Sequence, residues 1–393
     1  MLEEADLHKI AAELGLSLLG YAPVSDLKTE SKHLDSWQQS NYNAEMEYMR
    51  RDASLFTNLE KILPDIKTII TFAVHYDYTK RDERKTEHGL VARYAWGRDY
   101  HLVLKEKLNL FIDRIQSLSK SKISAKSITD SFPILERAYA AHAGIGFIGK
   151  NTMLIQKGKG SFFLLGEVLL DQEVGKTDGH KSFNILNQEN LSSCGTCVNC
   201  QEHCPTSAFV EDYILDANKC ISYLTIEKRR MFNDWQRVAI GEWIFGCDIC
   251  QDVCPFNHTS LKIEKKPQMH ELGKNEGVGQ QLNIRGLLKI RTNKEFETVF
   301  KGTPLLRSRR SGLIRNGICV AVNTAAESLS DVILECFETD SSEIIRAHAI
   351  WALAKFYNNE KTDSRKKISK LLDKALKDPS EIVKNEAKLI YEY

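Results

Sequence analysis

Eight of the ten cysteines in this 393-residue chain fall between Cys194 and Cys254, and no other feature constrains the fold as tightly. The first group reads Cys194-x2-Cys197-x2-Cys200-x3-Cys204-Pro205, the spacing of a bacterial ferredoxin. Thiolates two residues apart wrap three irons of a cubane, while the fourth cysteine, followed by proline, reaches a neighbouring cluster. The second group, Cys247-x2-Cys250-x3-Cys254-Pro255, is one thiolate short of that pattern, and Cys220 lies between the groups to supply it. The expected pairing is crossed: Cys194, Cys197, Cys200 and Cys254 on one [4Fe–4S] cluster, and Cys204, Cys220, Cys247 and Cys250 on a second. Structural zinc is the rival reading, because four-cysteine tetrahedral sites also use Cys-x2-Cys knuckles. Zinc sites rarely carry the x2-x2-x3-Pro run, which appears here nearly twice. No Cys-x3-Cys-x2-Cys run is present, so the clusters are expected to conduct electrons and not to cleave S-adenosylmethionine.

A disulfide framework would suit a small secreted domain, whereas this chain opens with the acidic, amphipathic MLEEADLHKI, which argues against an export signal. The formal charge of +1 draws no partner by itself, so any charge argument must be local. The best apolar run, 161–170, contains Glu167 and falls short of the ~20 residues a bilayer requires. A cytoplasmic monomer with no membrane partner is expected, with Cys319 and Cys336 as core residues.

Residues 4–14 read as a short helix ending at Gly15, and 18–24 and 67–74 as strands. Leu104, Leu108, Phe111, Ile115 and Leu118 recur at helical spacing and make one buried face. A strand at 124–129 precedes Asp130, and Pro133 pre-sets a helix through about Ala141. A turn at 144–149 then leads to a hairpin of 151–156 with 161–170. This mixed order predicts an α+β domain over 1–180, followed by a two-cluster ferredoxin-like domain over 181–262. An all-α domain over 280–393 contains a degenerate repeat, in which 342–349 (SEIIRAHA) matches 380–387 (SEIVKNEA) at an offset of 38 residues, as in HEAT-like helix pairs.

Three other features carry possible chemistry. Gly144-Ile-Gly146-Phe-Ile-Gly149 spells a dinucleotide fingerprint, but its glycines leave a helix and enter a strand, the reverse of the order that puts phosphate on a helix N-terminus. The turn could still bring Lys150 and Asn151 near a ligand. Asp130 is either a helix cap or a carboxyl group whose pKa a closed apolar site raises, so that it delivers a proton. Arg93–His101 (RYAWGRDYH), including Tyr94, is packing or a ligand contact.

Taken in order, YAWGRDYH (94–101), DSFPILER (130–137), GIGFIGKNTMLI (144–155), CISYLTIEKR (220–229) and both cysteine groups resemble the epoxyqueuosine reductases across nearly the whole chain. The resemblance implies a cobalamin-binding α+β domain fed with electrons by the two clusters, which in turn need an external electron donor. It implies reduction of epoxyqueuosine to queuosine at the wobble position of tRNA, with Asp130 as proton donor and the repeat domain holding the anticodon arm. Ser222, Tyr223 and Asp248, beside cluster ligands, are candidates to line the corrin together with Tyr94 and Asn151. The Asp-x-His-x-x-Gly motif that supplies a lower histidine ligand elsewhere is absent; Asp178-Gly-His180 comes closest, with Phe183 where the glycine would stand.

Independent support for tRNA is a stretch, 301–315, with five basic residues (Lys301, Arg307, Arg309, Arg310, Arg315) and no acidic one; of these, Arg307, Arg309, Arg310 and Arg315 are the expected contacts. The competing readings are a reductive dehalogenase, an iron–sulfur electron-transfer subunit and a nucleic-acid binder with structural clusters.

Overall fold

Thr68–His75 is rich in β-branched and aromatic residues, and in the computed structural model it is buried from end to end as a central sheet strand. The structure describes residues 2–16, 18–24, 27–175, 193–257, 269–357 and 362–391. They divide into two units, each assembled from separate stretches. Met1–Lys80, Trp96–Asn218 and Asp248–Gly277 form the first, and Arg81–Ala95, Lys219–Cys247 and Val278–Tyr393 the second. The contacts therefore do not divide into three consecutive domains. The cysteine-rich stretch, whose helices run only four to six residues, is shared between both units. So short a segment with such short elements buries too little for a core of its own.

In the first unit β1 (Leu18–Pro23), β2 (Thr68–His75), β3 (Ala125–Ile128) and β4 (Phe163–Leu170) form an antiparallel sheet in the order β1-β2-β4-β3. Helix α1 (Tyr100–Leu118) is capped by Asp99, whose side chain accepts the His101 N–H at 3.0 Å. Its residues Leu104, Leu108, Phe111 and Ile115 are buried as their spacing predicts, and Phe111 meets Phe72 edge-on at 4.9 Å. Leu118 is exposed, because the helix ends on it. The opposite sheet face is covered by α2 (Glu136–His142), whose Tyr139 and Ala140 pack into clusters with Ile69, Ala73, Phe163 and Leu169.

Two local expectations are corrected. Helix α2 starts after Pro133 and not at it, because 130–135 first make a tight turn in which Asp130 takes φ 46° and the Ile134 N–H bonds to the Phe132 carbonyl at 2.9 Å. Asp130 is thus no helix cap. The 151–156 segment does not form a hairpin with 161–170: Leu154–Ile155 pairs with Phe147–Ile148, whereas β4, long and buried, takes β2 and β3 on its two edges. The glycine fingerprint is explained by the same geometry. Gly144 (φ 77°) ends α2 with bonds from its own N–H to Ala141 and from Ile145 to Ala140, and a Cβ on Gly146 would lie 2.3 Å from the Ile155 carbonyl.

In the second unit, His88–Val91 is the middle strand between Trp243–Phe245 and Gln281–Asn283. Its helices include α3 (Ile221–Ile226), α4 (Arg309–Asn323), α5 (Glu343–Tyr357) and α6 (Glu381–Tyr391), with Ser330–Thr339 between α4 and α5 and Thr362–Ala375 between α5 and α6. The two repeat segments start α5 and α6. At equivalent positions, Asp340 and Asp378 each accept the N–H of the serine two residues on (Ser342 and Ser380, both 2.8 Å). Each also takes a forked bond from an arginine two helices upstream, Arg310 of α4 to Asp340 and Arg346 of α5 to Asp378, at 2.7–2.8 Å. Cys319 and Cys336 are core residues, and burial pushes their thiols up to about 12 and about 11. Among the described residues no helix is long and apolar enough to cross a membrane.

Candidate redox and proton-donor site

Six of the eight clustered cysteines lie in the first unit, and Cys220 and Cys247 in the second. Cys254 shares an apolar cluster with Phe147 and Ile155, and Cys194 and Phe256 pack against it. Burial, then the neighbouring charges of Cys194 and Cys254, pushes Cys200 up to about 11. Cys254 is raised chiefly by burial, with Cys194 and Cys197 adding to it. Thiols that penalise one another's ionisation in this way suit a polynuclear cation that neutralises several thiolates at once. Backbone N–H groups point at sulfur: Lys150 donates to Cys194 Sγ and Ala208 to Cys204 Sγ, both at 3.4 Å. In the second unit Cys220 immediately precedes α3, and the Gly246 N–H beside Cys247 is held by Thr225 Oγ1 at 2.9 Å.

Of the expected cofactor contacts, Asn151 is 4% exposed, and its side chain binds the chain itself. Nδ2 donates to the Cys250 carbonyl at 3.4 Å and Oδ1 accepts the Met153 N–H at 3.2 Å. Its side chain thereby ties the turn to the cysteine loop. Asp248 is buried at 1% exposure. Ser222 is half-buried on α3, and Tyr94 is half-buried with its ring 6.2 Å from Phe245. Arg93–His101 is divided, Arg93–Ala95 belonging to the second unit and Trp96 onward to the first. The segment holding Asp178, His180 and Phe183 lies outside the described residues.

Asp130 stands at the end of β3 with its side chain 64% exposed, so the closed apolar pocket expected around it is not what holds it. Polar neighbours hold it instead. Tyr100 Oη donates to Asp130 Oδ2 at 2.8 Å, and His101 Nε2 lies 3.6 Å from the same oxygen. His101 Nδ1 is 2.8 Å from Asp99 Oδ1. Burial works against the imidazolium, but hydrogen bonds to Asp130 and Asp99 and their charges overcome it and push His101 up to about 9. The backbone N–H of Asp130 donates to Glu136 Oε1 at 2.6 Å. Burial, then the Asp130 charge, lifts Glu136 to about 7. Glu167, fully buried on β4, is driven well above the carboxylate range by burial and by Glu136. Sequence reading missed both glutamates; the one legible signal was a charge inside the apolar run 161–170.

The basic stretch is also corrected. Arg310 is buried in its pair with Asp340, and Arg315 is fully buried, donating to the carbonyls of Leu224, Lys228 and Arg230 and lying 3.7 Å from the Phe232 ring centre. Helix α4 is covered on nearly all sides, so both are buried and neither is free to meet a phosphate. Arg307 is exposed and paired with Glu227 at 2.7 Å, and Arg309 is exposed with φ 58°.

Ferredoxin-type cysteine groups, together with a carboxylate set on a strained turn of the first unit, define an iron–sulfur oxidoreductase. Residues 193–257 match the family described as 4Fe-4S double cluster binding domain, and 57–131, ending beside Asp130, match epoxyqueuosine reductase QueG, DUF1730. Epoxyqueuosine reductase of Xanthomonas campestris is 33% identical over 89% of this chain and 95% of its own length; that of Escherichia coli is 32% identical over 90% and 91%. A solved epoxyqueuosine reductase with a tRNA-Tyr epoxyqueuosine-modified stem loop superposes with a TM-score of 0.85 and 27% identity, over 99% of this chain and 98% of that one. The Bacillus subtilis enzyme, described with its catalytic-aspartate loop swung out of the active site, gives 0.83 at 27% identity over the same shares. The chain belongs to the epoxyqueuosine reductase family.

Proposed function

We propose that this protein reduces epoxyqueuosine in tRNA to queuosine in the cytoplasm, drawing electrons from an external donor through two [4Fe–4S] clusters. The observation that carries the reading is the near full-length likeness to relatives that bear this one activity. The clusters are held in the crossed pairing, Cys194, Cys197, Cys200 and Cys254 on one and Cys204, Cys220, Cys247 and Cys250 on the other. Mutual perturbation among Cys194, Cys197, Cys200 and Cys254 supports the first set.

Loss of the epoxide oxygen as water consumes two electrons and two protons. Cobalamin, when bound, supplies a low-valent cobalt able to hand electrons to the substrate. The donor set on the first unit fits a corrin with an amide-bearing rim: Tyr100, His101, Asp130 and Arg137 offer donors and acceptors, and His101, Asp130 and Arg137 reach open space. Tyr94, Ser222 and Asp248 are further candidate contacts.

Asp130 gives a proton to the departing oxygen. Its exposed carboxyl can reach a substrate, Tyr100 fixes the orientation of Oδ2, and the His101 imidazolium steadies the carboxylate left once the proton has gone. The Bacillus subtilis relative, whose catalytic loop is named by an aspartate, supports this role.

The equivalent Asp340 and Asp378 caps support reading the C-terminal helices as HEAT-like repeats, which hold the anticodon arm with Arg307 and Arg309 among the phosphate contacts. The test is anaerobic incubation of the purified monomer with epoxyqueuosine-containing tRNA, cobalamin and a reductant, followed by mass spectrometry of the nucleosides. Queuosine is the expected product, and unchanged epoxyqueuosine after full reconstitution would remove the assignment.

A further inference from the structure

Asp130 is not a glycine, yet its φ of 46° lies in the left-handed region, and something must hold it there. Its side-chain partners, Tyr100 and His101, sit on α1. The bond to its backbone comes from the other side, from Glu136 in the first turn of α2, at 2.6 Å. Behind Glu136, in the middle of the sheet, Glu167 is fully buried, and neither of its carboxyl oxygens has a partner at hydrogen-bond geometry. It stands opposite Thr71 on β2, whose hydroxyl is also buried and unpartnered. A fold that keeps a carboxyl group in the centre of an apolar sheet face bears a cost of about 1–3 kcal/mol for each unsatisfied group. No packing benefit explains it.

We infer that Glu136 is a positioning residue for Asp130, a latch whose carboxylate pins the strained backbone N–H, and that Glu167 beneath it makes the latch respond to protonation. This rests on the reading of Asp130 as the proton donor. The charged and titratable groups around Glu136 are Asp130 at the turn, Arg137 beside it on α2, Glu167 on β4 and, across Asp130, His101 on α1. Burial, then the Asp130 charge, places the ionisation of Glu136 at about 7, with Glu167 and Arg137 pulling the other way. Above that pH the latch is a charge-assisted bond and closed. Below it Glu136 is neutral, the bond weakens, and the turn is free to leave.

The test uses the full-length protein with its clusters. Hydrogen–deuterium exchange is read by mass spectrometry on peptides that begin several residues before Asp130, alongside kcat and KM for modified tRNA, from pH 5.5 to 8.5. In the wild type, protection of the Asp130 amide, corrected for intrinsic exchange, rises through about pH 7. Glu136→Ala abolishes that protection and lowers kcat about tenfold to a hundredfold, the worth of one charged hydrogen bond, with KM within about twofold. Glu136→Gln keeps an acceptor oxygen but does not ionise, so protection and kcat lose their step near pH 7. Glu167→Gln removes the carboxyl group whose proton favours the Glu136 carboxylate, and moves the step to higher pH. If Glu136→Ala fails to retain iron, the Gln variants and the wild-type series decide.

Wild-type protection and kcat in Glu136→Ala, or an unmoved step in both Gln variants, would overturn the inference. Asp130→Asn separates the two claims, because it keeps the backbone N–H. Full activity in that variant would dismiss Asp130 as the donor, while the exchange data would still judge the latch.

Discussion

The Asp130 turn and the C-terminal helices handle buried charge in opposite ways. In the helices Arg310 meets Asp340, Arg346 meets Asp378, and Arg237 forms a forked pair with Glu386, all at 2.7–2.8 Å. Around the turn, Glu167 is buried against the Glu136 carboxyl group with neither oxygen at hydrogen-bond geometry, the Thr71 hydroxyl is buried and unpartnered, and Asp130 holds a backbone angle that favours glycine. Paired ions fix one arrangement and keep it. Unsatisfied groups and strain persist only where the surroundings impose them, and here they gather beside the carboxyl group assigned to the chemistry.

The contrast can be broken from either side. The largest effect belongs to the turn: Asp130→Asn should leave iron content unchanged and lower kcat about a hundredfold to ten-thousandfold, read in the nucleoside assay. Normal turnover would place the acid elsewhere. On the paired side, Asp340→Ala strands Arg310 in the core at a cost of about 3–5 kcal/mol, so thermal unfolding of the second unit should come about 10 °C earlier. An unshifted midpoint would mean that the pair fixes nothing.

Glu167→Gln sharpens the comparison in the opposite direction. Glu136 and Glu167 have folded pKa values above those of the unfolded chain, so the folded protein binds their protons more tightly. Their contribution to stability is complete below the ordinary carboxylate range and is lost as pH rises, through about 7 for Glu136. The amide should therefore raise the melting temperature by about 2–4 °C at pH 8 and leave it unchanged at pH 4. The smallest effect is expected at Arg309→Ala, a weakening of tRNA affinity of about two- to fivefold with a salt dependence lower by up to about one ion.

The cysteine spacing was legible because a cluster demands thiolates at fixed separations along the chain, whatever surrounds them. Periodicity gave α1, since four apolar residues on one face require a surface to cover. What escaped was non-local. Nothing in a short basic run tells which arginines turn inward, and Arg310 and Arg315 do so because α4 is covered on nearly all sides. Pro133 suggested a helix start, but the turn that presents Asp130 takes precedence over it. Glu136 was read only as part of a family motif, because its partner is a backbone N–H six residues away across a turn.

The account as a whole depends on iron at the thiolates between Cys194 and Cys254. The most direct measurement is iron and acid-labile sulfide per chain in anaerobically purified protein, with electron paramagnetic resonance after reduction. About eight irons, about eight sulfides and the signal of reduced [4Fe–4S] clusters are predicted. A colourless protein with zinc bound at those cysteines would contradict it.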